Sequence, residues 1–151
     1  MHWVTRRHIR VNRTATAWLI RRFVDVDAQF AFVEPESVAE VQRSTGAIGF
    51  DAPGARYPHV DDRGRCSFEM LAEEHRPDDV ALRRLARIVH GADLPDDAPP
   101  VESAGLRAIS AGFPEVGRDD HDTAERAAFL YDALYASLQR ATRADVETPR
   151  T

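Results

Sequence analysis

From Asp119 onward, apolar side chains recur at Ala127, Leu130, Tyr131, Leu134 and Leu138, at steps of i, i+3, i+4, i+7 and i+11. That spacing draws one apolar stripe along a long α-helix. A helix with one apolar stripe must lay it against another layer, so the rest of the chain has to supply a body for it to pack on. A second amphipathic helix is expected from about Arg13 to Val24, where Ala15, Trp18, Leu19, Ile20 and Phe23 share a face and Asn12 offers an N-cap. Between these two, Ser67 to about His75 reads as a helix with Glu69 in its first turn. Another is capped by Asp78 or Asp79, carries Leu82, Leu85, Ala86 and Val89 on one face, and is expected to stop at Gly91. Val101 to Phe113 reads as a further helix, ended by Pro114 and Gly117.

Strand signals cluster near the front. Val4 to Val11 can hold a short strand, Phe30-Ala31-Phe32-Val33 reads as a buried one, and Ala47-Ile48-Gly49-Phe50 as another. Pro35 opens a short helix through Arg43 that Gly46 stops, and Pro53-Gly54 makes a turn. The expected fold class is therefore α+β: a single, mostly helical domain over residues 1–143, with a few short strands in the N-terminal half and a polar tail over residues 144–151.

The chain of 151 residues is 43% hydrophobic and 30% charged, a balance that suits one soluble globular domain with its own core. The longest apolar candidate, Ala15 to Val24, is interrupted by Arg21 and Arg22, so no membrane span is expected. The first residues lack the apolar core of a signal peptide. Cys66 is the only cysteine, which excludes an internal disulfide and fits a reducing cytoplasm; its expected role is that of a small buried side chain. Charge is uneven. Residues 1–22 carry six arginines and no acid, so the remainder must hold a formal −11 for the chain to reach −5. An acidic body of that size opposes specific DNA binding, and no helix-turn-helix pattern is present, so nucleic acid is not an expected partner.

The chemistry concentrates between His59 and His121, a stretch holding four of the six histidines among carboxylates at element ends. Imidazole with carboxylate is a ligand set for zinc, iron or manganese. No single segment is a self-sufficient metal motif, so the ligands must converge from separate elements. The candidates are His59 in a loop, Glu69 at a helix start, Asp93 after a helix end, and Asp120 with His121 at the start of the longest helix. His121 stands out because a protonated imidazole is disfavoured at a helix N-terminus, and a neutral one suits a ligand. Cys66, His90 and Glu125 lie close by in sequence. Arg13, Arg21 and Arg22 flank the first apolar helix and offer planar bidentate donors to an oxyanion.

A wider pattern then connects these pieces. Trp3-Val4-Thr5-Arg6, the run Ala15 to Phe23, Thr45-Gly46-Ala47-Ile48 with Phe50-Asp51, Cys66-Ser67-Phe68-Glu69, Ile88-Val89-x-Gly91-Ala92-Asp93, Asp119-Asp120-His121 and Leu130 to Tyr135 together resemble the C-terminal domain of the ChrB chromate resistance proteins, from about Trp3 to Leu138. The resemblance implies a role in chromate resistance or its regulation. That family's first helix usually begins Asp-Arg and holds Cys-Pro before the tryptophan; Asn12-Arg13 and Thr16-Ala17 stand there in this chain. Relative to the full regulators the chain is expected to lack an N-terminal extension, so DNA binding is not carried across. The leading expectation is a domain that holds a divalent transition metal through His59, Glu69 and His121, with Asp93 or Asp120 as a further ligand, for a metal-dependent reaction or for sensing. The alternative is a non-catalytic module in which Arg13, Arg21 and Arg22 bind an oxyanion such as chromate. A metal ion and a small oxyanion are the expected partners, and a homodimer is compatible with either reading.

Overall fold

The computed structural model describes residues 1–147. The chain opens with β1 (His2–Arg6) and runs through α1 (Val11–Leu19) into β2 (Gln29–Val33). Next come α2 (Val38–Thr45), introduced by a 3₁₀ turn at Pro35–Ser37, and β3 (Ile48–Gly49). The rest is helical: α3 (Ser67–His75), α4 (Val80–Asp93), α5 (Glu102–Ala111), α6 (Phe113–Val116) and α7 (Asp120–Glu147). Together these make an α+β domain whose strands all lie in its first third.

The strands form a parallel sheet in the order β2-β1-β3, with Trp3 opposite both Phe30 and Ile48. Parallel neighbours require crossovers, and α1 and α2 supply them. Because successive side chains in a strand face opposite ways, Trp3 enters the main core with Phe30 and Phe50, while Val4 enters a smaller one with Val38, Ala47 and Ala52. The main core lies under α1, α3, α4 and α7, and α2 covers the other face. The chain thus goes from β1 to β2 on one side, then passes back across to β3 on the other. Ligand crevices form at such a reversal, outside the carboxyl ends of the strands.

Several local expectations shift. Asn12 does not cap α1. The helix starts one residue earlier, and the Asn12 side chain is buried, accepting hydrogen bonds from Thr16 Oγ1 at 3.0 Å and Ser67 Oγ at 3.3 Å. The first apolar helix also changes pitch, since Ile20–Val24 form a π turn at its end. That turn sets Phe23 edge-on to Trp18, with ring centroids 5.7 Å apart. Gly91 does not stop α4, which continues to Asp93. A Cβ at Gly91 would lie 2.6 Å from Ser103 Oγ and 2.8 Å from Pro99 Cβ, so the glycine permits close approach of the α5 segment. From α5, Arg107 then donates to the carbonyls of Gly91 and Ala92 at 2.8 and 3.0 Å, satisfying the end of α4 in place of a glycine cap.

The apolar stripe of α7 is deepest at its tyrosines. Tyr131 is fully buried and donates to Val11 O at 3.0 Å, and Tyr135 donates to Asp79, the N-cap of α4. Leu130, Leu134 and Leu138 pack at the margin of the same core. The helix continues past residue 143 to Glu147, so the expected polar tail begins within it; residues 148–151 lie outside the described residues.

Candidate functional site

The carboxyl ends of β1 and β3 deliver two charged residues to one place. Arg6 closes β1. Asp51 follows β3 by two residues and takes a left-handed backbone conformation (φ 49°), which aspartate tolerates better than most residues. The Asp51 carbonyl accepts from Arg6 Nε at 2.6 Å, and its carboxylate oxygen Oδ2 lies 3.3 Å from Arg6 Nη2 and 3.9 Å from Arg13 Nε. The other oxygen, Oδ1, is 2.6 Å from His59 Nδ1. Asp93, at the last turn of α4, brings Oδ2 to 3.7 Å from the same imidazole nitrogen. Asp51, His59 and Asp93 therefore have potential ligand atoms within 4.8 Å of one another, contributed by a strand end, a loop and a helix end.

The electrostatics of this crevice are unbalanced in a specific way. The hydrogen bond to Asp51 raises the His59 pKa above the ordinary imidazole value, against the opposing effect of burial. Burial and then the nearby Asp51 charge raise the pKa of Asp93. A helix C-terminus adds to the disfavour, because the dipole there is negative. Burial and then Arg6 lower the pKa of Arg13. Two buried atoms in the crevice find no hydrogen-bond partner among the described residues: the acceptor Asp93 Oδ2 and the donor Arg13 Nε. A buried polar atom without a hydrogen bond costs about 1–3 kcal/mol, more when charged.

A second group lies beside the first. Glu69 forms a reciprocal cap at the start of α3, its Oε2 accepting from Cys66 N at 2.8 Å. The same oxygen is 2.7 Å from His90 Nδ1 on α4. Cys66, Glu69 and His90 again offer ligand atoms within 4.8 Å of one another. His90 and Asp93 stand three residues apart on α4, on neighbouring positions of one helix face.

The structure thus brings His59 to Asp93, and sets Glu69 with His90 and Cys66. Asp120 goes elsewhere. Its two oxygens accept from His8 N at 2.9 Å and Ile9 N at 3.0 Å, holding the left-handed His8 (φ 61°) between β1 and α1. His121 is exposed and meets the Phe32 ring edge-on at 4.8 Å; neither ligand-sized group among the described residues includes it or Glu125. The three arginines also part. Arg13 faces the crevice, Arg21 lies over the Phe30 ring at 4.8 Å, and Arg22 lies over the rings of Phe23 and Tyr135. Sequence reasoning missed Arg6 and Asp51. The available signal was their position, each following a short apolar strand run.

The family model of the ChrB C-terminal domain matches residues 3–138, so the chain belongs to the ChrB C-terminal domain family. It is 37% identical over 134 residues to Protein ChrB of Cupriavidus metallidurans, an alignment covering 88% of this chain and 39% of that protein. The chain therefore spans about two fifths of the length of this curated relative. No solved structure matches. Among the described residues no helix is long and apolar enough to cross a membrane.

Proposed function

We propose that this domain acts in chromate resistance or its control by holding a divalent transition metal at Asp51, His59 and Asp93. An oxygen ligand on that metal, from water or an oxyanion, would sit beside Arg6 and Arg13. The observation that carries the reading is the pair of buried atoms that lack a hydrogen bond among the described residues, Asp93 Oδ2 and Arg13 Nε. A cation satisfies the first, and an oxygen bound to that cation satisfies the second. Ligand atoms around a tetrahedral zinc-sized ion lie about 3.4 Å apart, given bonds of about 2.1 Å. The 3.7 Å between His59 Nδ1 and Asp93 Oδ2 is close to that value, and the 2.6 Å contact of His59 with Asp51 has to open by less than an ångström.

The donor set favours zinc, iron or manganese, since imidazole with carboxylate suits borderline cations. Arg6 keeps Asp51 in place by contacts to both its carbonyl and its carboxylate, the kind of outer support that orients metal ligands. The single cysteine fits work in a reducing cytoplasm. The oxyanion reading that groups Arg13 with Arg21 and Arg22 has less support, because aromatic rings hold the latter two.

The test is metal analysis of the untagged protein beside its Asp93→Asn variant, after equilibration with zinc, iron(II) or manganese. The expected result is one equivalent fewer in the variant. Equal metal content in the two proteins would remove Asp93, and with it this site.

A further inference from the structure

We propose that Cys66, Glu69 and His90 form a second transition-metal site, of thiolate–carboxylate–imidazole type, that opens onto an arginine-lined cavity able to take an anionic co-ligand. The inference goes beyond the Asp51–His59–Asp93 reading and does not depend on it. Helix capping accounts for part of the arrangement, since the Cys66 sulfur and the Glu69 carboxylate exchange hydrogen bonds with each other's backbone amides. Yet sulfur is a weak acceptor, and serine, threonine or aspartate caps a helix better. Capping also leaves His90 unexplained. It arrives from α4, with Nδ1 2.7 Å from the carboxylate oxygen that already serves the cap. Cys66 is fully buried at the edge of this group, so its sulfur does not face solvent.

Two further observations lie close by. Asn12 is only 2% exposed; its Oδ1 accepts from Ser67 at the same helix start, while its Nδ2 has no partner among the described residues. Glu69 also lines a cavity of about 340 Å³ whose walls include Arg65, Arg76, Arg83 and Arg87. Arg65 pairs with Asp61 and Glu73, and Arg87 with Asp96, while Arg76 lies over the Phe23 ring and Arg83 donates to Pro77 O. Each guanidinium carries five N–H donors, so these contacts leave donors to turn toward an anion. Thiolate and imidazole select zinc, cobalt or ferrous iron over magnesium or calcium. On binding, the cation replaces the thiol proton of Cys66, which leaves to solvent.

Cobalt(II) titration of the full chain tests the proposal, because a cysteine ligand adds a thiolate-to-cobalt charge-transfer band in the near ultraviolet. The wild type is expected to show the band, and Cys66→Ser to lose it together with one equivalent of cobalt. His90→Gln, which keeps the thiol, is expected to weaken the same band at least tenfold in cobalt concentration, and stands if the serine variant does not fold. Asp93→Asn is expected to keep it. Cobalt-saturated protein without the band, an unchanged titration of His90→Gln, or loss of the band in folded Asp93→Asn would each overturn the second site. Failure of the first reading is a different result: no equivalent lost in Asp93→Asn.

Discussion

The crevice at the ends of β1 and β3 and the start of α7 contain the same residue types and use them in opposite ways. At the start of α7 three aspartates each have their donors. Asp119 accepts from Asp122 N at 2.8 Å, Asp120 holds two backbone amides, and Asp122 takes Arg118 and Arg126. Those arginines and the Arg118 amide keep the Asp122 carboxyl well below its usual pKa. In the crevice, Asp93 and Arg13 each retain a buried atom without a hydrogen bond among the described residues. The contrast separates charge that is hydrogen-bonded into the fold from charge that is not. Clustering of His and Asp in a sequence does not distinguish the two; completeness of hydrogen bonding does.

Four measurements can break or sharpen this contrast. The largest effect is expected for metal affinity in Asp93→Asn, which removes a charged ligand; the loss should exceed the roughly 10–100-fold typical of an outer-shell partner. Competition with a chelating dye would measure it, and unchanged affinity would make Asp93 as structural as Asp120. Next, Asp120→Ala should destabilise the fold by about 1–3 kcal/mol, because the amides of His8 and Ile9 lose a charged acceptor. Urea unfolding would read that, and the crevice should still take its metal.

Dependence on pH is expected to be smaller and of opposite sign for metal and for fold. His59 has a folded pKa above its unfolded value of about 6.5. Its contribution to the stability of the metal-free protein is then full below that value and fades as pH rises through the folded pKa. Metal binding requires the neutral imidazole, so affinity rises through the same window, by up to about tenfold per pH unit. Affinity and apo stability that move together with pH would disconnect His59 from the site. The smallest effect belongs to His121→Ala. It gives up an edge-on ring contact, about 0.5–1.5 kcal/mol, and gains up to about 0.7 kcal/mol of helix propensity. Net stability should move by no more than about 1 kcal/mol, with metal content unchanged; loss of metal would bring α7 back into the ligand set.

Much of this was legible in the sequence where local pattern decides structure. The run Phe30–Val33, the α3 helix from Ser67 to His75 and the Asp79 cap all follow from spacing and capping chemistry. What spacing could not convey was the strand order. Arg6 and Asp51 become neighbours only because β1 and β3 pair in parallel after the chain has crossed to β2 and back. Asn12 and Gly91 looked like helix punctuation, and tertiary contacts with Ser67 and Ser103 gave them other work. His121 was singled out by helix electrostatics, a local argument that knows nothing of Phe32 in β2. His59 and Asp93 were identified individually; the crevice that joins them depends on contacts far apart in the chain.

The Tyr131 hydroxyl, which donates to Val11 O from 120 residues away and lies 2.7 Å from Thr14 Oγ1, also sets an order of events during synthesis. The first helix leaves the ribosome early, yet its hydrogen bonds with Tyr131 wait for one of the last segments to emerge. Closing so long a loop carries an entropic cost, so the packing of α1 against α7 is completed late. Arg13 rides on that helix. A nascent chain arrested before α7 thus carries every crevice residue while its first helix still lacks the Tyr131 contact, so the crevice is complete only once nearly the whole domain has been made.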